Sequence, residues 1–473
     1  MHPITIRRDS GDSLVDQIVG EIQRQIHERT LRPGAKLPSI RAFAKDHEVS
    51  RFTVVEAYDR LVAQGYVQSR RGAGFFTKAE EPRPQLPDRS EANSRNKEMV
   101  WLIRRLLTAR EGMILAGGPW LPNEWLDDGH VGRMLRGLAT GRGGHLVEYG
   151  NPFGYRPLRA HIAETLLPEI GIQAAASQIL LTNGASQALD LISRCILSPG
   201  DAVLVDDPGY YNMFGNLRLQ GLTLLGVPRG VDGPELDALD ALAARHKPKL
   251  FFTQSILQNP TGTTMSPHVA HRILQIAERH NFSIVEDDLF SDLYVGNTPR
   301  LAALDQLNRV IYVRSFSKTL SGSLRVGVIA CSPDRVEDLA DTKMLTAITT
   351  SQFTEKLLYR VLVEGHYRKL LTRLRERVGE ARAATMRAFD RIGLETFCAS
   401  DAGMFLWARF PSVADALPLA ERACEQGILL APGTVFRPNL QPSPWMRFNV
   451  AVCRDAAVQE RIATLPSLIA KGA

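Results

Sequence analysis

The sequence predicts two folded units of different class: a small, mainly helical unit closed by a hairpin, and a large α/β domain that ends in a smaller α+β portion. Three observations carry this. Helical periodicity runs through residues 13–64 and gives way to strict alternation over 65–77. A proline-rich stretch with almost no hydrophobic residues follows, and from about residue 99 short apolar runs alternate with amphipathic ones. At 473 residues the chain is too long for one ordinary domain.

In the first unit, residues 14, 15, 18, 19, 22 and 26 are apolar, which is one face of a helix capped by Ser13. Arg32-Pro-Gly-Ala-Lys-Leu-Pro38 breaks the pattern. Ser39 caps a second short helix to Lys45, and Val49-Ser50 forms a turn. A third helix runs from Arg51 to Gln64 with Val54, Ala57, Tyr58 and Leu61 inward. Residues 65–77 alternate like a hairpin, with Arg70, Arg71 and two glycines at the tip. This is the pattern of a winged helix-turn-helix. Its third helix suits a major groove, with Ser50, Arg51 and Thr53 near the start, Ser39 and Arg41 on the preceding helix, and the two arginines at the wing tip. A three-helix adaptor with the same core is the plain alternative, and the basic and polar residues on the exposed face argue against it. The run Leu37-Pro-Ser-Ile-Arg-Ala-Phe-Ala44, with Val49-Ser-Arg-Phe-Thr-Val54 and Gly65-Tyr66, resembles the GntR superfamily of bacterial regulators over residues 10–77. That resemblance implies double-stranded promoter DNA as a partner.

Residues 78–98 hold three prolines and read as a semi-extended tether. We place the small unit at 1–77, a linker at 78–109 and the large domain at 110–473. The net charge is +6 and the pI about 9.1. Residues 1–77 hold twelve Lys/Arg against nine Asp/Glu, half of the net excess in a sixth of the chain. No apolar run reaches the roughly 20 residues a membrane span needs, and the first residues lack a signal-peptide core. The five cysteines are scattered without a Cys-x-x-Cys pair, against both a disulfide framework and a zinc site. A cytoplasmic protein with reduced thiols and no membrane partner is expected.

In the large domain, apolar runs at 178–182, 202–205, 249–253, 282–285, 310–313 and 326–330 read as strands, and 184–195 and 266–280 as helices between them. The order argues for a mostly parallel sheet covered on both faces. The most telling stretch is Ser315-Phe-Ser-Lys-Thr-Leu-Ser-Gly-Ser-Leu-Arg325, which leaves a strand. It puts Lys318 among hydroxyls with a guanidinium seven residues on, the surroundings a Schiff-base lysine and a phosphorylated cofactor require. An isolated lysine is more often a surface residue; here the neighbours decide otherwise. Asn183-Gly-Ala-Ser-Gln187 turns from a strand into a helix whose first N–H groups suit a phosphate. Tyr210 can lie against a flat ring or simply pack, Gln258-Asn-Pro-Thr-Gly262 offers an amide, and Val285-Glu-Asp-Asp288 ends a strand in carboxylates.

In this order the motifs resemble the fold-type I aminotransferases, which use pyridoxal 5′-phosphate, over residues 110–465. The resemblance implies that Lys318 forms the internal aldimine, Asp287 pairs with the ring nitrogen, Asn259 bonds the ring hydroxyl and Tyr210 stacks on the ring. Gly184, Ala185, Ser186, Ser315, Ser317 and Arg325 would hold the phosphate, and Tyr149 would reach the phosphate of a partner subunit. Arg447 would grip the carboxylate of a substrate or effector; a strand-edge arginine is the plain alternative. Leu289 and Phe290 stand where many relatives carry a tyrosine, which puts efficient transamination in doubt.

The combination resembles the MocR-type regulators. It implies a head-to-tail homodimer and a regulator whose large domain senses pyridoxal phosphate, or an amine or amino-acid effector, rather than a significant enzyme. An active aminotransferase carrying a DNA-binding module is the alternative, and a large domain that only dimerises the readers is a third.

Overall fold

The structure, a computed structural model, describes residues 13–28, 30–32, 34–70, 72–77, 97–109, 112–126, 129–140, 148–399 and 402–467. They divide into two compact units, one on either side of residues 89 and 90.

In the first unit α1 (Leu14–His27), α2 (Ile40–Asp46) and α3 (Arg51–Ala63) start at Ser13, Ser39 and Ser50, each accepting a first-turn backbone N–H on its hydroxyl. Val54, Ala57, Tyr58 and Leu61 of α3 are buried against Ile18, Ile22 and Phe43. Tyr58 sits edge-on to Phe43 and Phe75 and donates its hydroxyl to the Pro38 carbonyl at 3.1 Å. The wing is β1 (Val67–Arg70) paired antiparallel with β2 (Gly74–Thr77), and Leu37 adds a further bond to the Phe75 carbonyl.

The large unit has an eight-stranded sheet in the order β3-β10-β9-β8-β7-β4-β5-β6. The strands are β3 (Ile179–Thr182), β4 (Ala202–Asp207), β5 (Thr223–Gly230), β6 (Gly233–Pro234), β7 (Leu250–Thr253), β8 (Ser283–Asp287), β9 (Val310–Ser315) and β10 (Gly327–Ala330). Pairings among β5, β4, β7, β8 and β9 are parallel, while β10 runs antiparallel to both its neighbours. All six strands expected from the sequence are present. β5 was not expected, because half-exposed positions and Pro228 weaken its apolar run. The chain ends in an antiparallel sheet ordered β11-β12-β14-β13, built from β11 (Glu395–Thr396), β12 (Phe405–Arg409), β13 (Ala431–Pro432) and β14 (Trp445–Asn449).

One expected boundary differs. Residues 97–107, placed in the linker, form helix α4 (Lys97–Leu107). Met99, Leu102 and Leu106 recur at helical spacing and are buried in the core of the large unit. The proline-rich composition just before it masked that periodicity. Among the described residues no helix is long and apolar enough to cross a membrane, and no cluster of three or more His, Cys, Asp or Glu suits a metal.

Under the sheet, Arg229 of β5 and Asp206 of β4 form an ion pair at 3.0 Å with both side chains buried. Arg229 also donates to the Gln254 carbonyl, and Thr253 to Asp206. Removing one partner strands the other charge in a dry site, at a cost of about 3–5 kcal/mol. Asp206→Ala should therefore lower the urea midpoint of the large unit markedly. Tryptophan fluorescence checks this, since all five tryptophans lie beyond residue 100.

Candidate functional site

The chemistry-bearing residues collect outside the carboxyl ends of the parallel strands, where open α/β sheets leave a crevice. A cavity of about 420 Å³ there is lined by Ser186, Tyr210, Gln254, Asn259, Asp287, Lys318 and Arg325, among others. Asp287 is the last residue of β8, 4% exposed; its Oδ2 accepts from Gln254 Nε2 at 3.0 Å and its Oδ1 has no partner. Burial and the neighbouring Asp288 push its carboxyl up to about 8. Lys318 lies three residues past β9 and donates to the Pro119 carbonyl at 3.0 Å. Burial, then Arg447 and Arg325, push its amine down to about 8. An amine and a carboxyl thus face one cavity with affinities for the proton far closer than usual.

Gly184 opens the helix Gly184–Ile196 immediately after β3, with φ +74°. A Cβ there would meet Arg325 Nη2 at 2.5 Å, so a larger residue would be strained by the positive φ and would push the guanidinium aside. Arg325 itself has φ +50° and donates to the Asn183 carbonyl. The backbone N–H groups of Ala185 and Ser186 fall in the first turn of that helix, where the ladder supplies no acceptor. Ser315 and Ser317 share a hydrogen bond at 2.8 Å beside Lys318. Tyr210 precedes the helix Tyr211–Leu219 without a side-chain capping bond, and burial raises its phenol.

Arg447 is not a strand-edge residue. It lies on β14, between β12 and β13, and is fully buried. Its Nη1 donates to Asn259 Oδ1 at 2.8 Å, its Nη2 to the Gly117 carbonyl at 2.7 Å, and its Nε has no partner. Phe405 and Phe436 cover the guanidinium at 4.5 and 5.1 Å. Leu289 and Phe290 both line the cavity, with the Phe290 ring 5.9 Å from Lys318 Nζ. No hydroxyl stands at either position. Tyr149 stays outside, 80% exposed and grouped with Thr349–Phe353.

Three contributors escaped the sequence reading. Gln254 has no motif around it. The Gly117–Trp120 segment, which supplies carbonyls to Arg447, Lys318 and Asn449, was signalled only by its Gly-Gly-Pro run. Ile103 and Leu106 of α4 wall the cavity from a stretch taken for linker.

On the first unit, Ser39 and Ser50 act as helix caps and remain exposed, and Thr53 Oγ1 lies 2.8 Å from Ser50 Oγ. Arg41, Arg51 and Arg70 are exposed; Arg70 lies 4.6 Å above the Phe76 ring. Arg71 lies outside the described residues. Phe52, on the first turn of α3, is 76% exposed, an aromatic side chain facing outward that the sequence reading passed over.

The family model for aminotransferase class I and II matches residues 126–465, and that for bacterial regulatory proteins of the gntR family matches residues 14–77. The chain is 30% identical over 446 residues to the probable rhizopine catabolism regulatory protein MocR of Rhizobium meliloti, covering 91% of this chain and 88% of that one. The chain belongs to the MocR-type regulators. A second relative of this MocR-type chain is the 2-aminoadipate transaminase of Thermus thermophilus, 32% identical over 77% of this chain and 92% of that one. The crystal structure of the LysN α-aminoadipate aminotransferase from Thermus thermophilus, in complex with N-(5′-phosphopyridoxyl)-L-leucine, superposes with a TM-score of 0.72 at 29% identity. It covers 80% of this chain and 98% of that one. The N-terminal unit of this MocR-type protein is therefore a gntR-family DNA-binding domain, and the large unit has the fold-type I aminotransferase architecture.

The lowered amine of Lys318 has a direct chemical signature. Below about pH 8 it is protonated and no nucleophile; above, it is free. Borohydride-trapped labelling of the apo protein with a small aldehyde, mapped by peptide mass, should rise at Lys318 with a midpoint near 8. Surface lysines should go on climbing toward the ordinary lysine value of about 10.4.

Proposed function

We propose that the protein is a transcription regulator that binds promoter DNA through its first unit and responds to pyridoxal phosphate, or to an amine or amino acid reacting with it, at Lys318. The observation that carries this is one chain joining an exposed basic reading face to a cavity fitted for that cofactor. The fit rests on the unpartnered Oδ1 of Asp287, which suits a ring N–H; on Gly184, whose missing Cβ leaves Arg325 and a helix N-terminus open to a phosphate; and on the low-pKa amine of Lys318. When bound, pyridoxal phosphate supplies an aldehyde carbon for amines and a ring that withdraws electrons.

The residues divide the work. Asp287 would hold the ring nitrogen and Asn259, its Oδ1 already taken by Arg447, would offer its amide N–H to the ring hydroxyl. Tyr210 would cover the ring, and Ser186, Ser315, Ser317, Arg325 and the Gly184–Ala185 backbone would bind phosphate. Arg447 uses its Nη1 and Nη2 on protein acceptors and keeps Nε for an effector carboxylate. The exposure of Tyr149 supports a head-to-tail homodimer in which it reaches the partner's phosphate, and such a dimer would present two readers to two half-sites in the cytoplasm. A working aminotransferase is the second reading, favoured by the convergence of Lys318, Asp287 and Asn259. Leu289 and Phe290, apolar where a phenol would tune the reaction, weigh against it.

On the reader, Arg41, Arg51, Thr53 and Arg70 would meet backbone and base edges, with Ser39 and Ser50 at the helix starts. Phe52 would lie against thymine methyl groups, the apolar feature of the major groove.

Anisotropy titration of the holo protein with DNA upstream of its own gene, beside cofactor-stripped and Lys318→Ala forms, tests the whole. Binding should depend on salt and on cofactor state. Arg51→Ala and Arg70→Ala should each weaken it on the order of tenfold with unchanged cofactor absorbance. Absence of sequence-preferring binding in every form favours the aminotransferase reading. With duplexes selected by the protein from a random pool, replacing thymines by uracil removes only the methyl. Affinity should fall about fourfold at a contacted position, and Phe52→Ala should abolish that difference.

A further inference from the structure

Gln254 follows β7 directly and is 5% exposed. Its backbone is held on both sides by the buried ion pair: its carbonyl accepts from Arg229 Nη2 at 2.9 Å and its N–H donates to Asp206 Oδ2 at 3.3 Å. Its side chain spans the two residues assigned to the cofactor ring. Nε2 donates to Asp287 Oδ2 at 3.0 Å, and Oε1 accepts the Asn259 backbone N–H at 2.8 Å. The orientation of the amide is fixed by chemistry. A flipped amide would set its NH₂ against the Asn259 N–H and its oxygen against the carboxylate, losing both bonds.

The consequence falls on Asp287. Asp288 beside it and Asp206 from β4 oppose its charge, Lys318 favours it, and Tyr210 faces it from the start of the neighbouring helix. Against two carboxyls, the Gln254 N–H is the neutral donor that stabilises the ionised form, and it engages Oδ2 alone. Oδ1 is left without a partner. Resting on the reading of Lys318 and Asp287 as cofactor residues, we infer that Gln254 is a positioning residue: its amide favours the ionised form of Asp287 and leaves the second oxygen for the ring nitrogen, and would so set the acidity of a chromophore carried on Lys318.

The physical chain is short. Without the donor, the Asp287 carboxylate would be more basic and would compete better for a proton on a bound ring nitrogen. Lys318, joined to a ring that withdraws fewer electrons, would then hold the proton on its nitrogen to higher pH. Hydrogen bonds to a charged group are strong enough to move such a titration by about one pH unit.

The experiment is a pH titration of the visible band of the pyridoxal-phosphate-loaded protein, with Kd for the cofactor from apo-protein titration, for wild type, Gln254→Met and Asp287→Asn. Gln254→Met should move the midpoint upward by about one unit, toward that of Asp287→Asn, and weaken cofactor binding about tenfold. An unchanged midpoint and Kd in a folded Gln254→Met protein overturns the inference, whatever happens to the melting temperature. Should that variant not fold, Gln254→Leu removes the amide donor with another side chain of similar volume and adds no titratable group. An upward shift is then expected, and a wild-type midpoint overturns the inference. Loss of the underlying reading looks different: the visible band would be absent from wild type or would survive in Lys318→Ala.

Discussion

Three consecutive carboxyl groups leave the buried end of β8, and much of the cavity is an answer to the cost of placing them there. Strand alternation sends Glu286 and Asp288 to one face and Asp287 to the other. Glu286 accepts from Ser255 and from the Leu301 and Ala302 backbone N–H groups, although burial still raises it to about 7. Asp288 accepts from the Tyr312 hydroxyl at 2.7 Å and faces Arg300 at 3.4 Å. Asp287 and Asp288 each keep one buried oxygen without a hydrogen bond, and of the two residues only Asp287 lines the cavity. Buried polar groups are almost always paired, so the unpartnered oxygen on the carboxyl that lines the cavity is a place where a ligand donor fits.

A second tier of buried charge holds this arrangement in place. The Arg229–Asp206 pair fixes Gln254, which fixes Asp287 and Asn259, while Asn259 in turn receives Arg447 from the C-terminal sheet. Burial raises Asp206 and lowers Arg229, so the pair sits against desolvation on both sides. Such a pair is a weak source of stability and a strong source of geometry. Elsewhere Lys343, fully buried, donates to the Pro152 and Leu181 carbonyls and to Thr350, which bonds Glu355. That set ties β3 to the segment carrying Tyr149. The hydrophobic core supplies the bulk of the burial, and these polar ties fix which surfaces meet.

The MocR-type architecture puts two recognition problems into one chain. The first unit combines an apolar core with an outward face of arginines, helix-capping serines and Phe52. The large unit presents an amine whose basicity has been lowered and a carboxyl whose acidity has been lowered, in a cavity walled by Leu289, Phe290 and helix α4. Those apolar walls strengthen every charge inside by excluding water. They also present no hydroxyl to the cavity at positions 289 and 290.

Much was legible in the sequence because it depends on local chemistry. The inward positions of α3, the serine caps, the wing and six strands follow from periods of 3.6 and 2 and from turn residues. Lys318, Asp287, Asn259, Gly184 and Arg325 stood out because each lies at a strand end or in a loop of distinctive composition between two elements. Helix α4 and β5 were not, since a proline-rich neighbour hid one pattern and partial exposure blurred the other. The sequence by itself determined most of the elements and the composition of the turns beside their strands. The tertiary structure alone decided that Arg447 meets Asn259 across 188 residues and Lys318 meets Pro119 across 199. It alone decided that Gln254 turns its amide to Asp287, leaving one oxygen free. Local patterns fix backbone conformation, but the partners of a buried polar group are set by which distant segments the closed core brings within hydrogen-bond reach.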